Sequence, residues 1–157
     1  MLICSGARSW ELAAYTTWSM LLIALGFIDA AVHRLPHHLS AAATLGFIAF
    51  LALAGGTASA WQAAVAAAAG LATFHALLHA AASSGLGLGD VTITIPVGVA
   101  LGWLDWRYPF AATMLAHSAT LLAFAIQRTT GQRQQQPLGT YLAATSILVA
   151  AAAHATR

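Results

Sequence analysis

Long apolar runs separated by short polar clusters organise this chain. A helix needs about 20 mostly apolar residues to cross the hydrocarbon core of a bilayer. By that measure the sequence predicts six spans, at 12–32, 39–55, 59–82, 86–104, 109–127 and 138–155. Each break has a physical cause. Pro36 interrupts the polar stretch 33–38, Gly55-Gly56-Thr57 and Ser83-Ser84-Gly85 are turn clusters, 105–109 is a charged corner, and 128–137 is polar and glutamine-rich. Non-helical backbone cannot face lipid, so these breaks belong at a water interface or inside protein. The predicted fold is all-α: a single transmembrane domain over 1–157, built as a bundle of about six helices.

Counting spans gives a topological result. If the first span ends at Asp29 and the fourth begins at Asp90, two complete crossings separate them and both aspartates face the same side. Were the second and third runs one span, they would lie on opposite sides, so the Gly55-Gly56 turn carries the argument. Trp10, Trp18, Trp61, Trp103 and Trp106 all fall towards the other face, where indoles anchor helix ends at an interface. Arginines divide evenly, with Arg34, Arg128 and Arg133 on the aspartate face and Arg8, Arg107 and Arg157 opposite, so charge favours a cytoplasmic aspartate face only weakly. Gly98 and Gly102 on the fourth span leave room for a neighbouring helix, read here as the first span.

Composition narrows the class. The 157 residues are 60% hydrophobic and 6% charged, a membrane-protein balance. Six arginines, no lysine and a formal charge of +2 leave no footprint for nucleic acid. Cys4 is the lone cysteine, which excludes an intrachain disulfide and a Cys-x-x-Cys metal knuckle. Arg8 before an apolar stretch resembles a signal peptide, but Glu11 and the later spans argue against that reading.

The acids are Glu11, Asp29, Asp90 and Asp105. An ionisable group at the edge of an apolar span is costly and marks a functional candidate. Asp29 closes the first run and Asp90 closes GLGLGD, where Gly87 and Gly89 leave the carboxylate bare to an approaching substrate backbone. The plainer readings are that Asp90 caps a helix and that Asp29 pairs with Arg34, five positions on. His75 and His79, four apart on the third span, together with His117 form a candidate metal or haem cluster. A metal-dependent protease normally adds a glutamate to such a pair, and Ala76-Leu77-Leu78 supplies none. His79 is read instead as packing near the aspartate site.

Taken together, these segments resemble the type IV prepilin peptidases, the Gly-x-Gly-Asp intramembrane aspartyl proteases. FIDAAVHRLPHHLS resembles the first signature of that family, GLGLGDVTI the second, and PLGTYLA at 137–143 the stretch that opens its last span. The resemblance covers about 20–150 and implies that Asp29 and Asp90 are the catalytic pair. It also implies cleavage at the cytoplasmic face of the cell membrane. The implied substrates are membrane-anchored prepilin-like or pseudopilin-like precursors, which lose a short basic leader after a glycine. Thr92 stands where the family usually has lysine, His37 where asparagine or aspartate is common, and Thr140 where proline is usual. Arg34, Pro36, Thr92 and His79 are candidates for contact with substrate or support of the aspartates. The cysteine-bearing N-terminal domain of the larger enzymes is not found here, so the expectation is a peptidase without methyltransferase activity.

Two carboxylates at close range cannot both ionise cheaply, so the pair should share a proton and divide the roles of base and acid. No metal or other cofactor is called for, the partners are substrate and lipid, and a homodimer is left open. Two rivals stand beside this reading. One is a small transporter or proton- or cation-conducting protein using the same aspartates; the other is a membrane subunit carrying haem or metal on His75, His79 and His117.

Overall fold

The computed structural model of the chain describes residues 2–32, 35–81, 87–130 and 137–156. These form six helices: α1 (Leu2–Val32), α2 (His37–Ala54), α3 (Ala58–Ala81), α4 (Leu88–Leu104), α5 (Arg107–Thr130) and α6 (Leu138–Ala155). All but α4 are long and apolar enough to cross a membrane, α4 having 17 residues.

The helix boundaries follow local backbone chemistry. Pro36 starts α2, where its missing N–H would have lacked an intrahelical partner anyway, and its carbonyl accepts the Leu39 N–H at 3.0 Å. Gly55 ends α2 at φ 71°, a left-handed conformation that glycine adopts freely. Gly56 lies so close to the Trp103 ring that a Cβ would not fit. The Thr57 hydroxyl then accepts the Ala60 N–H at 3.2 Å to open α3. The second and third runs are therefore separate helices, as the topology requires.

One boundary departs from expectation: α1 begins at Leu2 instead of residue 12. Polarity ends a membrane span but not a helix, because helical hydrogen bonds persist in water and no proline interrupts the segment. The Ser9 hydroxyl even donates back to the Gly6 carbonyl at 2.7 Å.

At the centre of the bundle lies α4, where Ile93, Val97, Ala100 and Leu101 are completely enclosed. Its close neighbour is α3. Gly98 rests on the Ala68 backbone, and a Cβ at Gly102 would meet the Ala63 carbonyl at 2.9 Å and the Ala64 Cα at 3.1 Å. The small-residue seam predicted for α1 thus belongs to α3, the next helix along the chain.

Long side chains, not a close backbone approach, connect α1 to α4. The Tyr15 hydroxyl donates to the Ala100 carbonyl at 2.7 Å and the Trp18 indole N–H to the Pro96 carbonyl at 3.0 Å. Trp18 is fully buried, which corrects its assignment as an interfacial anchor. An indole inside a core needs an acceptor for its N–H, and α4 provides one. The other tryptophans keep to the far face: Trp10 and Trp106 are exposed, and Trp61 meets Trp103 edge-on with ring centroids 4.9 Å apart.

Candidate active site

Asp29 occupies the last turn of α1, Asp90 the first turn of α4, and both lie at one end of the bundle. A carboxylate in a last turn faces the negative end of its own helix dipole. The start of α6 offsets this. Thr140, the third residue of α6, donates its N–H to Asp29 Oδ2 at 3.0 Å. Its hydroxyl lies 3.4 Å from the same oxygen and 2.9 Å from the Gly26 carbonyl. The first N–H groups of a helix lack intrahelical partners and carry the positive end of its dipole, so both mismatches are relieved together. Asp29 is held in this clamp at 5% exposure.

Asp90 is half-buried. Its Oδ2 accepts the Gly87 N–H at 3.0 Å while its own N–H donates to the Gly87 carbonyl at 3.1 Å, a reciprocal closure of the α4 start. The plainer reading of Asp90 as the N-terminal cap is corrected: Gly87 is the cap and Asp90, the third residue of α4, closes the helix start from inside, which coexists with a place in the site. The Gly139 backbone and the charge of Asp29 both act electrostatically on Asp90. The first turn of α6 thus binds Asp29 and acts on Asp90, the two residues that the topology had put on one side.

Glycine has specific work at two positions. A Cβ on Gly139 would sit 2.8 Å from both Asp29 Oδ2 and Leu35 Cδ1. A Cβ on Gly89 would meet the Leu35 Cβ at 2.7 Å and its backbone nitrogen at 3.2 Å. The bareness of Gly89, read from the sequence as room for a substrate backbone, accommodates Leu35, from the segment joining α1 to α2. Gly87 contributes its N–H to Asp90.

The remaining candidates lie around this centre. The Thr92 hydroxyl donates to the Gly89 carbonyl at 2.9 Å and lies 3.3 Å from His37 Nδ1, so it ties α2 to α4 without touching a carboxylate in any hydrogen bond described. Pro36 starts α2 next to Leu35, and His79 sits half-buried in the last turn of α3. Arg34 lies outside the described residues.

His75 and His117 come together, with ring centroids 5.5 Å apart. Each Nδ1 is bound to a carbonyl of its own helix, that of Leu71 at 3.0 Å and that of Thr113 at 2.9 Å. Among the described residues no group of three or more His, Cys, Asp or Glu is placed to hold a metal ion. His75 is fully buried and its Nε2 has no hydrogen-bond partner.

Apolar grooves flank the bundle, two of them among the described residues. The larger, about 360 Å³, runs between α3 and α5 past Trp106 and Phe110, near the far face. The smaller, about 230 Å³, runs between α1 and α6 along Leu22, Gly26, Phe27, Ala30 and Ala143, and includes Thr140, which binds Asp29. The sequence reading left Gly139 and Thr140 out of the site, although both stand in the PLGTYLA stretch that it singled out.

A bundle of apolar helices with two carboxylates gathered at one mouth defines a multi-pass membrane protein with the means for acid–base chemistry. The chain belongs to the type IV leader peptidase family, whose family model matches residues 16–153, and its general function is that of a peptidase. No curated protein and no solved structure matches the chain.

Proposed function

We propose that the protein is an aspartic endopeptidase that removes short basic leaders from type IV prepilin-like precursors at the cytoplasmic face of the cell membrane, without methylating the product. The observation that carries this is that Asp29 and Asp90 lie at one end of the bundle, where the first turn of α6 binds Asp29 and acts on Asp90. Family membership supports the leader-peptidase chemistry. The precursor's apolar helix stays in the bilayer and presents its leader junction at the mouth of the bundle.

One carboxylate, ionised, takes a proton from water as the water oxygen bonds to the scissile carbonyl carbon. The other, protonated, donates to the oxygen on which negative charge develops. Collapse of the tetrahedral intermediate breaks the C–N bond as the departing amine takes a proton from the first carboxyl group, and the hydroxyl that reforms the C=O bond returns its proton to the second carboxylate. Both carboxylates start the next cycle with the proton shared again.

The test uses the full-length protein in detergent or liposomes with a precursor bearing a basic leader, a glycine and an apolar helix. Asp29→Asn and Asp90→Asn should each abolish cleavage while leaving the helical circular dichroism spectrum intact. Normal cleavage by either variant removes that residue from the mechanism. Ion flux lost in the same variants, with no cleavage by the wild type, would favour the transporter.

A further inference from the structure

Asp29 and the Thr140 hydroxyl form an arrangement that can follow a proton. A threonine hydroxyl has one proton to donate and lone pairs with which to accept. Here it stands between two acceptors, the Gly26 carbonyl at 2.9 Å and Asp29 Oδ2 at 3.4 Å. The Thr140 N–H, fixed by the backbone, holds Oδ2 in place at 3.0 Å. We infer that Thr140 is a positioning residue whose hydroxyl serves both protonation states of Asp29.

When Asp29 is ionised, the hydroxyl turns its hydrogen towards Oδ2. When Asp29 is protonated there, the hydroxyl gives its hydrogen to the Gly26 carbonyl and accepts from the acid. Only rotation about the Cβ–Oγ1 bond is needed, so the carboxyl group keeps its place through a cycle in which it gains and loses a proton. A catalytic group held in place in this way avoids reorganising at the moment of reaction. A proline at this position, usual in the motif that 137–143 resembles, has neither donor, so the device is a feature of this chain.

This inference rests on the peptidase reading, and the test separates the two. Cleavage kinetics would be compared for wild type, Thr140→Val, Thr140→Ser and Asp29→Asn, alongside thermal unfolding. Valine keeps the shape and the backbone N–H but removes the hydroxyl, and should lower kcat about tenfold with KM and unfolding temperature unchanged. Serine restores the hydroxyl and should recover most of the rate. An unchanged kcat in Thr140→Val, a change confined to KM, or an equal loss in Thr140→Ser overturns the role given to Thr140. Wild-type cleavage by Asp29→Asn overturns the peptidase reading itself.

Discussion

Gly139→Ala adds one methyl group at the tightest point of the site. The new carbon would stand 2.8 Å from Asp29 Oδ2, 2.8 Å from Leu35 Cδ1 and 3.2 Å from Asp29 Cγ. Ordinary contact between carbon and a neighbouring heavy atom lies at about 3.5 Å, so the carboxylate and Leu35 must each retreat by roughly half an ångström or more. Leu35 and Asp29 are both buried, and Asp29 Oδ2 is already held by the Thr140 N–H. Overpacking of this kind costs about 1–3 kcal/mol of stability. The larger effect falls on catalysis, because a misplacement of about 1 Å can lower a rate about a hundredfold.

The matched control is Gly26→Ala on the same α1–α6 seam, where the nearest atom to a new Cβ is the Ala143 Cβ at 3.6 Å, an ordinary contact. Steady-state cleavage with saturating precursor should show kcat down by about tenfold or more for Gly139→Ala and within about twofold of wild type for Gly26→Ala. Equal rates for the two variants would refute the claim that packing at Gly139 sets the position of Asp29.

Gly89→Ala should also impair the enzyme, since its Cβ meets the Leu35 Cβ and backbone and not a yielding side-chain tip; the expected sign is a lower unfolding temperature and a lower cleavage rate, and unchanged values in both would discount the packing of Leu35 on Gly89. His75→Leu should leave cleavage intact and hold or raise stability by about 1 kcal/mol, because it replaces a buried ring whose Nε2 is unpaired. Loss of activity in a well-folded His75→Leu protein would return that histidine to the mechanism.

Much of this architecture was legible in the polar breaks, because a turn such as Gly55-Gly56 announces itself through the only residue type suited to positive φ. The side on which Asp29 and Asp90 meet followed from counting crossings. Their actual meeting point did not, since Gly139 and Thr140 act largely through backbone N–H groups, which every residue but proline has and no pattern of side chains marks. Trp18 misled for a related reason: an indole at a core position and one at an interface are the same letter until the acceptor, here the Pro96 carbonyl, is located. The Gly98 and Gly102 seam was visible as a close-approach surface, yet nothing in its spacing names the helix that fills it. The extra length of α1 escaped a hydrophobic ruler because that ruler measures lipid thickness and not helix length.

The brevity of α4 has a physical consequence for the membrane. Seventeen residues rise about 25 Å, short of the roughly 30 Å of hydrocarbon that a typical bilayer presents. This central strut is flanked by α2 and α6 of 18 residues each, and mismatch of a few ångströms is cheaply absorbed by a local dip in the lipid. Asp90 is borne at the strut's end, so a dimple there would carry bulk solvent down to the acids, giving the proposed peptidase its water at a depth where an intact leaflet would be dry.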